Sequence, residues 1–492
     1  MRITPLAPRR PRPTALLFPS RRRLVILTAD GMKEATAARG VTLALSKLKG
    51  HTCYVTGGLT TLKDTTGATQ WTCHTWRGRG TAMVHEPSGT TVSSLRGTLE
   101  SAGGPEAAWV ALAVVLEWLH GYGVSPGSIS AMAWNLWRAS LVDPVSIGFD
   151  PNVGRAALFG GRQGITEPRV YAHMVSADIQ AAYPHAMASQ PYGLSLRAVR
   201  PTVALDASVS GLADATVWVD HDAPFAPLPV RLAEEVIQFQ TGIVKGTWAW
   251  CELAAAKDLG FRVDVHAAWA PRATADLFGR WWEIAAAGRA LPGAASVLAK
   301  AICNSLWGQF AMNGEGKGAT RWADDAGKDS YASTEEARNL PHRWMAHIAA
   351  ETTARVRRRM LVEGLYGTTG GTPVHIDTDG IVMRQSNALP NPAGNGPGHW
   401  RIKAAMRRID VRAPQMYRYT CTDKCGLTHP EWHYVASGVT PGAAAEVFRL
   451  DGRPTKISYR SQYDTVLPTG HATDAAGINR WLCEAGVTRV GS

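Results

Sequence analysis

The sequence predicts a mixed α/β protein of several domains, and three observations carry that prediction. Short runs rich in β-branched residues, such as Arg23-Leu-Val-Ile-Leu-Thr28, or alternating in polarity, such as 261–269, have the signature of strands. Apolar residues recur at helical spacing over 105–122, 128–141 and 294–310. The 492 residues exceed what one hydrophobic core holds, and 45% hydrophobic with 19% charged residues is ordinary for a folded globular chain.

The elements follow in order. Residues 1–22 carry Arg9, Arg10, Arg12, Arg21 and Arg22 among prolines, without a long apolar stretch. They read as a solvated basic tail and not as a secretory signal. A strand at 23–28 opens an N-terminal domain, and 50–95 adds short strand-like runs punctuated by Thr and Gly. The helix over 105–122 ends at the 123–126 break, and a second helix spans 128–141. Gly160-Gly161 opens a turn, after which 171–176 runs as a strand into Asp178. Thr247 is placed to cap a helix that Gly260 stops, and 261–269 returns as a strand. Helices over 276–287 and 294–310 flank Leu291-Pro292-Gly293 as a helical hairpin. The polar, Gly-rich stretch 313–343 reads as a loop excursion. A basic helix over 347–363 carries Arg355, Arg357, Arg358 and Arg359, and 372–384 reads as strand, turn, strand. Residues 390–397 form a Pro/Asn/Gly linker, and no internal repeat is present.

The net charge of +12 fits a polyanionic partner, because Lys and Arg release counterions when they meet phosphates. Seven scattered cysteines argue against a disulfide framework and for a reducing, cytoplasmic setting. No window approaches the ~20 apolar residues a membrane span needs. The best run, 109–119, is interrupted by Glu117, so no membrane is expected.

Three separated motifs carry the chemistry. Asp178 lies in Val175-Ser-Ala-Asp-Ile-Gln-Ala-Ala-Tyr-Pro184, and His375-Ile-Asp-Thr-Asp-Gly-Ile-Val382 supplies Asp377 and Asp379. Between them stands Lys300-Ala-Ile-Cys-Asn-Ser-Leu-Trp-Gly308. Phosphoryl transfer with two divalent ions about 3.5–4 Å apart needs carboxylates in this arrangement. Mg²⁺, a hard ion, takes carboxylate oxygens, phosphate and water, so two or three aspartates suffice, and Mn²⁺ can substitute. Strand alternation sets Asp377 and Asp379 on one side. Direct ligation falls to Asp178 and Asp379, with Asp377 as a neighbour or water-mediated ligand. Lys300, Asn304 and Trp307 stand at i, i+4 and i+7, one helical stripe suited to a triphosphate and a base pair. Arg289, just before the hairpin turn, is a second phosphate candidate. Apart from these, Cys421, Cys425, His429 and His433 form a candidate structural zinc site. The bland alternatives are an Asx turn at 377–379, a surface lysine beside a half-buried Trp, and an unmetallated loop.

In this order the motifs resemble those of family-B DNA polymerases, especially the small phage-type branch. The stretch from Asp178 to Pro184 resembles motif A, with Tyr183 in place of the tyrosine that packs under the sugar. Lys300 to Gly308 resembles Lys-x3-Asn-Ser-x-Tyr-Gly, and Asp377-Thr-Asp379 resembles Asp-Thr-Asp-Ser. Phe159-Gly-Gly-Arg162 looks like the Tyr-x-Gly-Gly element near the template, implying DNA contacts from Gly160, Gly161 and Arg162. Ala413-Pro-Gln-Met-Tyr417 looks like the Lys-x-Tyr element at the primer end, implying Gln415 and Tyr417. The departures are Trp307 for tyrosine, Gly380 for serine, Leu158 for the first tyrosine and Gln415 for lysine.

The resemblance covers roughly 125–440. It implies a right-hand polymerase with palm (121–272 and 311–415), fingers (273–310) and a small thumb or C-terminal region (416–492). Residues 23–120 would be a degenerate, RNase H-like exonuclease domain or something unrelated, since none of the paired acidic motifs of such a domain is found there. The implied reaction is primer extension on a DNA template from deoxynucleoside triphosphates. A terminal protein or other replication proteins are further expected partners, in the cytoplasm of a phage-infected or plasmid-bearing bacterium. Two rivals use overlapping equipment: a non-catalytic nucleic-acid-binding protein with a palm-like fold, and a metal-dependent nuclease. The nuclease has no use for the lysine stripe or Tyr183.

Overall fold

The computed structural model describes residues 2–6, 13–20, 23–35, 44–48, 51–56, 71–76, 79–85, 90–95, 98–99, 102–148, 151–231, 237–311, 317–323, 329–337, 345–368, 372–413, 416–421, 432–436 and 464–466. The chain divides into two compact units, each drawn from two stretches of sequence. The first comprises 1–148 with 276–346, the second 149–275 with 347–492.

The first unit holds a mixed nine-stranded sheet. Thr14–Ser20, Arg23–Thr28 and Gly31–Ala35 form an antiparallel meander. Thr52–Val55 joins Thr14–Ser20 in parallel, and Thr90–Ser94 joins Thr52–Val55 in parallel. Buried Ala15, Leu17, Leu24, Ile26, Val55 and Val92 form its core. The expected solvated tail is thus corrected: residues 14–20 are an interior strand, because Ala15, Leu16 and Leu17 have a parallel and an antiparallel partner to bury against. The stretch 313–343 also departs from a plain loop. Lys317–Ala323 and Asp329–Ala337 form a hairpin, and its first strand pairs with Trp71–Trp76 to extend the sheet.

The unit also holds the helices Pro105–Gly121, Ile129–Ser140, Gly279–Arg289 and Ala294–Phe310. Ser128 caps the second, its Oγ accepting the Ala131 N–H at 3.2 Å. Trp134, Trp137, Phe278, Trp281 and Phe310 form an aromatic cluster, with Trp137 and Phe310 edge to face at 5.1 Å. The Trp137 indole N–H donates to the Leu277 carbonyl at 2.9 Å. Residues 121–148 therefore group with the helical hairpin and not with the strand bearing Asp178.

The second unit is built on a ten-stranded sheet. Its centre runs Arg162–Ile165, His375–Thr378, Gly380–Arg384, Arg169–Ile179, Trp400–Ala413, Met416–Cys421. A four-stranded antiparallel sheet of Tyr192–Val199, Arg262–Ala275, Leu212–Val219 and Gly242–Ala249 accompanies it. Val175, Ala177, Ile381, Met383, Val217, Trp248, Leu253, Val356 and Met360 share one apolar core. Thr247 does not cap the following helix, Trp250–Asp258. It lies within a strand, its hydroxyl donating to Asp214 across the pair, and Gly260 at φ +92° ends the helix as expected. The basic helix is Ala346–Arg359, continued by a π-helical turn over Met360–Tyr366. Two of its arginines point inward: Arg355 pairs with Glu351 and Arg357 with Glu252. Among the described residues no helix is long and apolar enough to cross a membrane.

Candidate active site

Asp178 is the penultimate residue of Arg169–Ile179, flanked by Gly380 on one neighbouring strand and Arg401 on the other. Arg401 Nε donates to Asp178 Oδ1 at 3.1 Å. Asp377 pairs with Gly380, so Thr378 and Asp379 form a two-residue turn. Thr378 occupies the left-handed region at φ +58°, a costly conformation for a β-branched residue that persists where surrounding contacts enforce it. The Asp379 N–H donates to the Asp377 carbonyl at 2.6 Å, and the Asp379 carbonyl accepts the Ile179 N–H at 2.8 Å. That second bond stitches the turn to the strand end that bears Asp178. Alternation therefore does not relate Asp377 to Asp379; the turn brings them together.

The three carboxylates lie close enough to act on one another. Burial first, then the charges of Asp377 and Asp178, push the Asp379 carboxyl up to about 7, with Lys403 opposing. Crowded acids with too little compensating charge suit a divalent cation that prefers oxygen. Among the described residues no three His, Cys, Asp or Glu side chains alone gather closely enough to hold a metal. Substrate phosphate and water would have to complete the coordination, as is usual for Mg²⁺. Gly380 is explained by space: a Cβ there would lie 3.1 Å from the Ala177 carbonyl oxygen and 3.6 Å from Asp178 Cβ.

The Gly-Gly element abuts this turn. A Cβ on Gly161 would come within 2.6 Å of Thr378 Cγ2, and the next strand pairs Arg162 with Thr378 and Gln163 with Asp377. Arg162 itself is corrected: it is fully buried, its guanidinium 4.2 Å from the Phe239 ring and donating to the Ala226 carbonyl. Burial lowers its pKa to about 9. Its side chain points into the core and offers nothing to DNA. Arg357 holds the other side of the loop. Its Nη1 donates to the carbonyls of Phe159 and Gly160, both at 2.8 Å, while Glu252 takes its Nε and Nη2, also at 2.8 Å.

Tyr183 is half-buried in the first turn of Ala182–Ala188, packed on the core. Ala181 at φ +55° turns the chain into that helix, and Gln180 exchanges backbone hydrogen bonds with His399 and Gly398. Tyr417 lies beside the acidic hairpin, its ring 4.8 Å from that of His375, and burial followed by the Asp377 charge raises its phenol. Gln415 falls outside the described residues. In the first unit, Lys300 and Asn304 are exposed on Ala294–Phe310 and Trp307 is half-buried, while Leu298, Ile302 and Leu306 are buried. Val297 is exposed. Arg289 Nη2 donates to Asn304 Oδ1 at 2.8 Å, tying the second candidate cation to the stripe. Of the zinc set, Cys421 ends one strand and His433 opens the next, stacked on Tyr419 at 5.0 Å. Cys425 and His429 lie outside the described residues.

Arg401, Lys403, Glu252 and Arg357 were not legible as site residues. The alternation Trp400-Arg-Ile-Lys403 was the available signal for the first two. The Glu252–Arg357 pair, 105 residues apart, left none.

Residues 128–341 match the family described as DNA polymerase type B, organellar and viral. Among solved structures the chain is similar to Phi29 DNA polymerase complexed with primer-template DNA, at 12% identity over 88% of this chain and 94% of that one, with a TM-score of 0.63. It is equally similar to the same polymerase with primer-template DNA and incoming nucleotides (12% identity, 88% and 93% covered, TM-score 0.63). The orthorhombic crystal form matches at 12% identity over 90% and 93%, with the same TM-score. No curated protein sequence matches the chain. At such identity the likeness speaks for the fold, that of a right-hand polymerase. Motif order, a right-hand polymerase fold and the family match over 128–341 together make the chain similar to the type B DNA polymerases, organellar and viral.

Proposed function

We propose that the chain is a DNA-directed DNA polymerase that extends a primer 3′ end with deoxynucleoside triphosphates. The observation that carries the proposal is the placement of Asp178 beside the Asp377–Asp379 turn, with the Asp379 carboxyl pushed up by burial and then by the charges of Asp377 and Asp178. When bound, two Mg²⁺ ions supply charge neutralisation and activation of the attacking hydroxyl. Asp178 and Asp379 would hold them, and Asp377 would orient water or the turn. The primer 3′-oxygen forms its bond to the α-phosphorus as the bond to the pyrophosphate oxygen breaks, so the protein chiefly positions and neutralises. Lys300, with Arg289 behind Asn304, meets the triphosphate; Asn304 and Trp307 line the nascent base pair. Tyr183 packs under the sugar and selects against a 2′-hydroxyl. Gly160 and Gly161 line the template side, and Tyr417 the primer end. The complexes of Phi29 DNA polymerase with primer-template DNA and incoming nucleotides support these as substrates.

Extension of a labelled primer on a DNA template tests the reading. The wild-type chain extends it with Mg²⁺, whereas Asp178→Ala and Asp379→Ala each lose at least ~10³ in rate while binding DNA nearly as before. Retention of a tenth of the rate in either variant removes that residue from catalysis. Shortening of the primer in place of extension supports the nuclease reading.

A further inference from the structure

We propose that Glu252 and Arg357 are a positioning pair for nucleotidyl transfer, holding the Phe159–Gly160 backbone so that Gly161 fixes the Thr378–Asp379 turn. The inference rests on the polymerase reading and concerns two residues remote in sequence from its motifs.

The Arg357 and Glu252 side chains are 1% and 2% exposed, and the pair is bidentate, with both N···O distances at 2.8 Å. Such a pair is weak evidence for stability, since apolar residues of similar volume often serve as well or better. What apolar residues cannot supply is the remaining edge of the guanidinium, which reaches two successive carbonyls at 2.8 Å each. Without it both carbonyls would need other donors. Glu252 fixes the plane of the fork, and the fork fixes the loop. A lysine in place of Arg357 would keep the charge but lose the planar, multidentate geometry.

The loop transmits its position without slack. Gly161 lies so near Thr378 that its missing Cβ would overlap Cγ2, and Arg162 pairs in register with Thr378. Thr378 in turn carries Asp379, whose carbonyl is bonded to the strand end at Ile179. A loop released from Arg357 would let the turn drift relative to Asp178. Misplacement of ~1 Å at reacting groups costs about 10²-fold in rate.

The test compares wild type, Glu252→Met/Arg357→Met together, and Arg357→Lys, in single-nucleotide incorporation on a primer-template, alongside thermal unfolding. We expect the double variant to melt within a few degrees of wild type, with kcat down about 10-fold to 100-fold and the nucleotide KM changed less than about 3-fold. Arg357→Lys should show a smaller kcat loss with the same split, and it answers the question should the double variant not fold. A folded double variant with wild-type kcat, or an Arg357→Lys enzyme with full kcat, overturns the proposal. Loss of activity that merely tracks the folded fraction overturns it as well. Failure of the wild-type chain to extend a primer would instead sink the polymerase reading itself.

Discussion

Gly161→Ala is the most direct probe of the acidic turn. The added methyl would sit 2.6 Å from Thr378 Cγ2 and 3.1 Å from both its Cβ and Oγ1, where carbon contacts settle at about 3.5–4.0 Å. Roughly 1 Å must therefore be found. Thr378 is stiff about χ1 and already sits at φ +58°, and Gly161 is followed directly by a paired strand, so neither side yields freely. Overpacking of this kind costs about 1–3 kcal/mol. A displacement of ~1 Å at Asp379 should lower kcat about 10²-fold. Rapid-quench incorporation of one nucleotide measures the rate, and thermal unfolding the stability; the melting point should fall by a few degrees. Thr378→Ser removes Cγ2, the atom of closest approach, so the Gly161→Ala/Thr378→Ser double variant should recover most of the rate. Recovery of that kind is non-additivity between touching residues. A wild-type rate in Gly161→Ala, or a double variant no faster than the single, would refute the argument.

Three further outcomes are expected. Lys300→Ala should raise the apparent KM for nucleotide and lower turnover, because a charge-assisted contact to phosphate is among the stronger hydrogen bonds; unchanged nucleotide kinetics would make Lys300 a surface lysine. A labelled, mismatched primer incubated with Mg²⁺ but no nucleotide should stay intact, since Thr14–Ser20 and Arg23–Thr28 carry no Asp or Glu. Shortening abolished by changing Asp30 but not Asp178 would reveal an exonuclease. Glu351 is buried against Ser210 and Arg355, and burial raises its carboxyl to about 7 from 4.5. The folded state thus holds the proton more tightly than the unfolded chain, so stability should fall as pH rises from about 4.5 through 7. Denaturant midpoints across that range should show a shallower dependence in Glu351→Gln, and equal slopes would count against the assignment.

Helices announced themselves where apolar residues recur at helical spacing or the ends are punctuated: the periodic run at 128–141, Gly260 stopping Trp250–Asp258, Pro292-Gly293 splitting the hairpin. The acidic strands were legible because Asp178 and Asp377-Thr-Asp379 sit at strand ends with short-range signals. What escaped has a common cause, which is partners distant in sequence. Polar Lys317–Ala323 becomes strand because Trp71–Trp76 and Asp329–Ala337 offer it ladders, and 14–20 is interior because Thr52–Val55 lies beside it. Arg162 and Arg357 look like surface cations until Phe239, Ala226 and Glu252 are brought to them. Arg401 meets Asp178 across a strand pairing 223 residues apart.

The interleaving of the two units has a consequence for how the chain is made. Trp71–Trp76 has Arg79–His85 on one side from the start, but its other side is closed by Lys317–Ala323. During synthesis from the N-terminus that edge stands open while residues 149–275 emerge, and open edges invite mispairing. The carboxylates are likewise split, Asp178 appearing before the helical hairpin and Asp377 and Asp379 after it. The nascent chain therefore has no finished unit until residue 346, and the second unit is closed only by 347–492. The first sheet and the acidic turn are both completed late, by segments that reach back across an intervening unit.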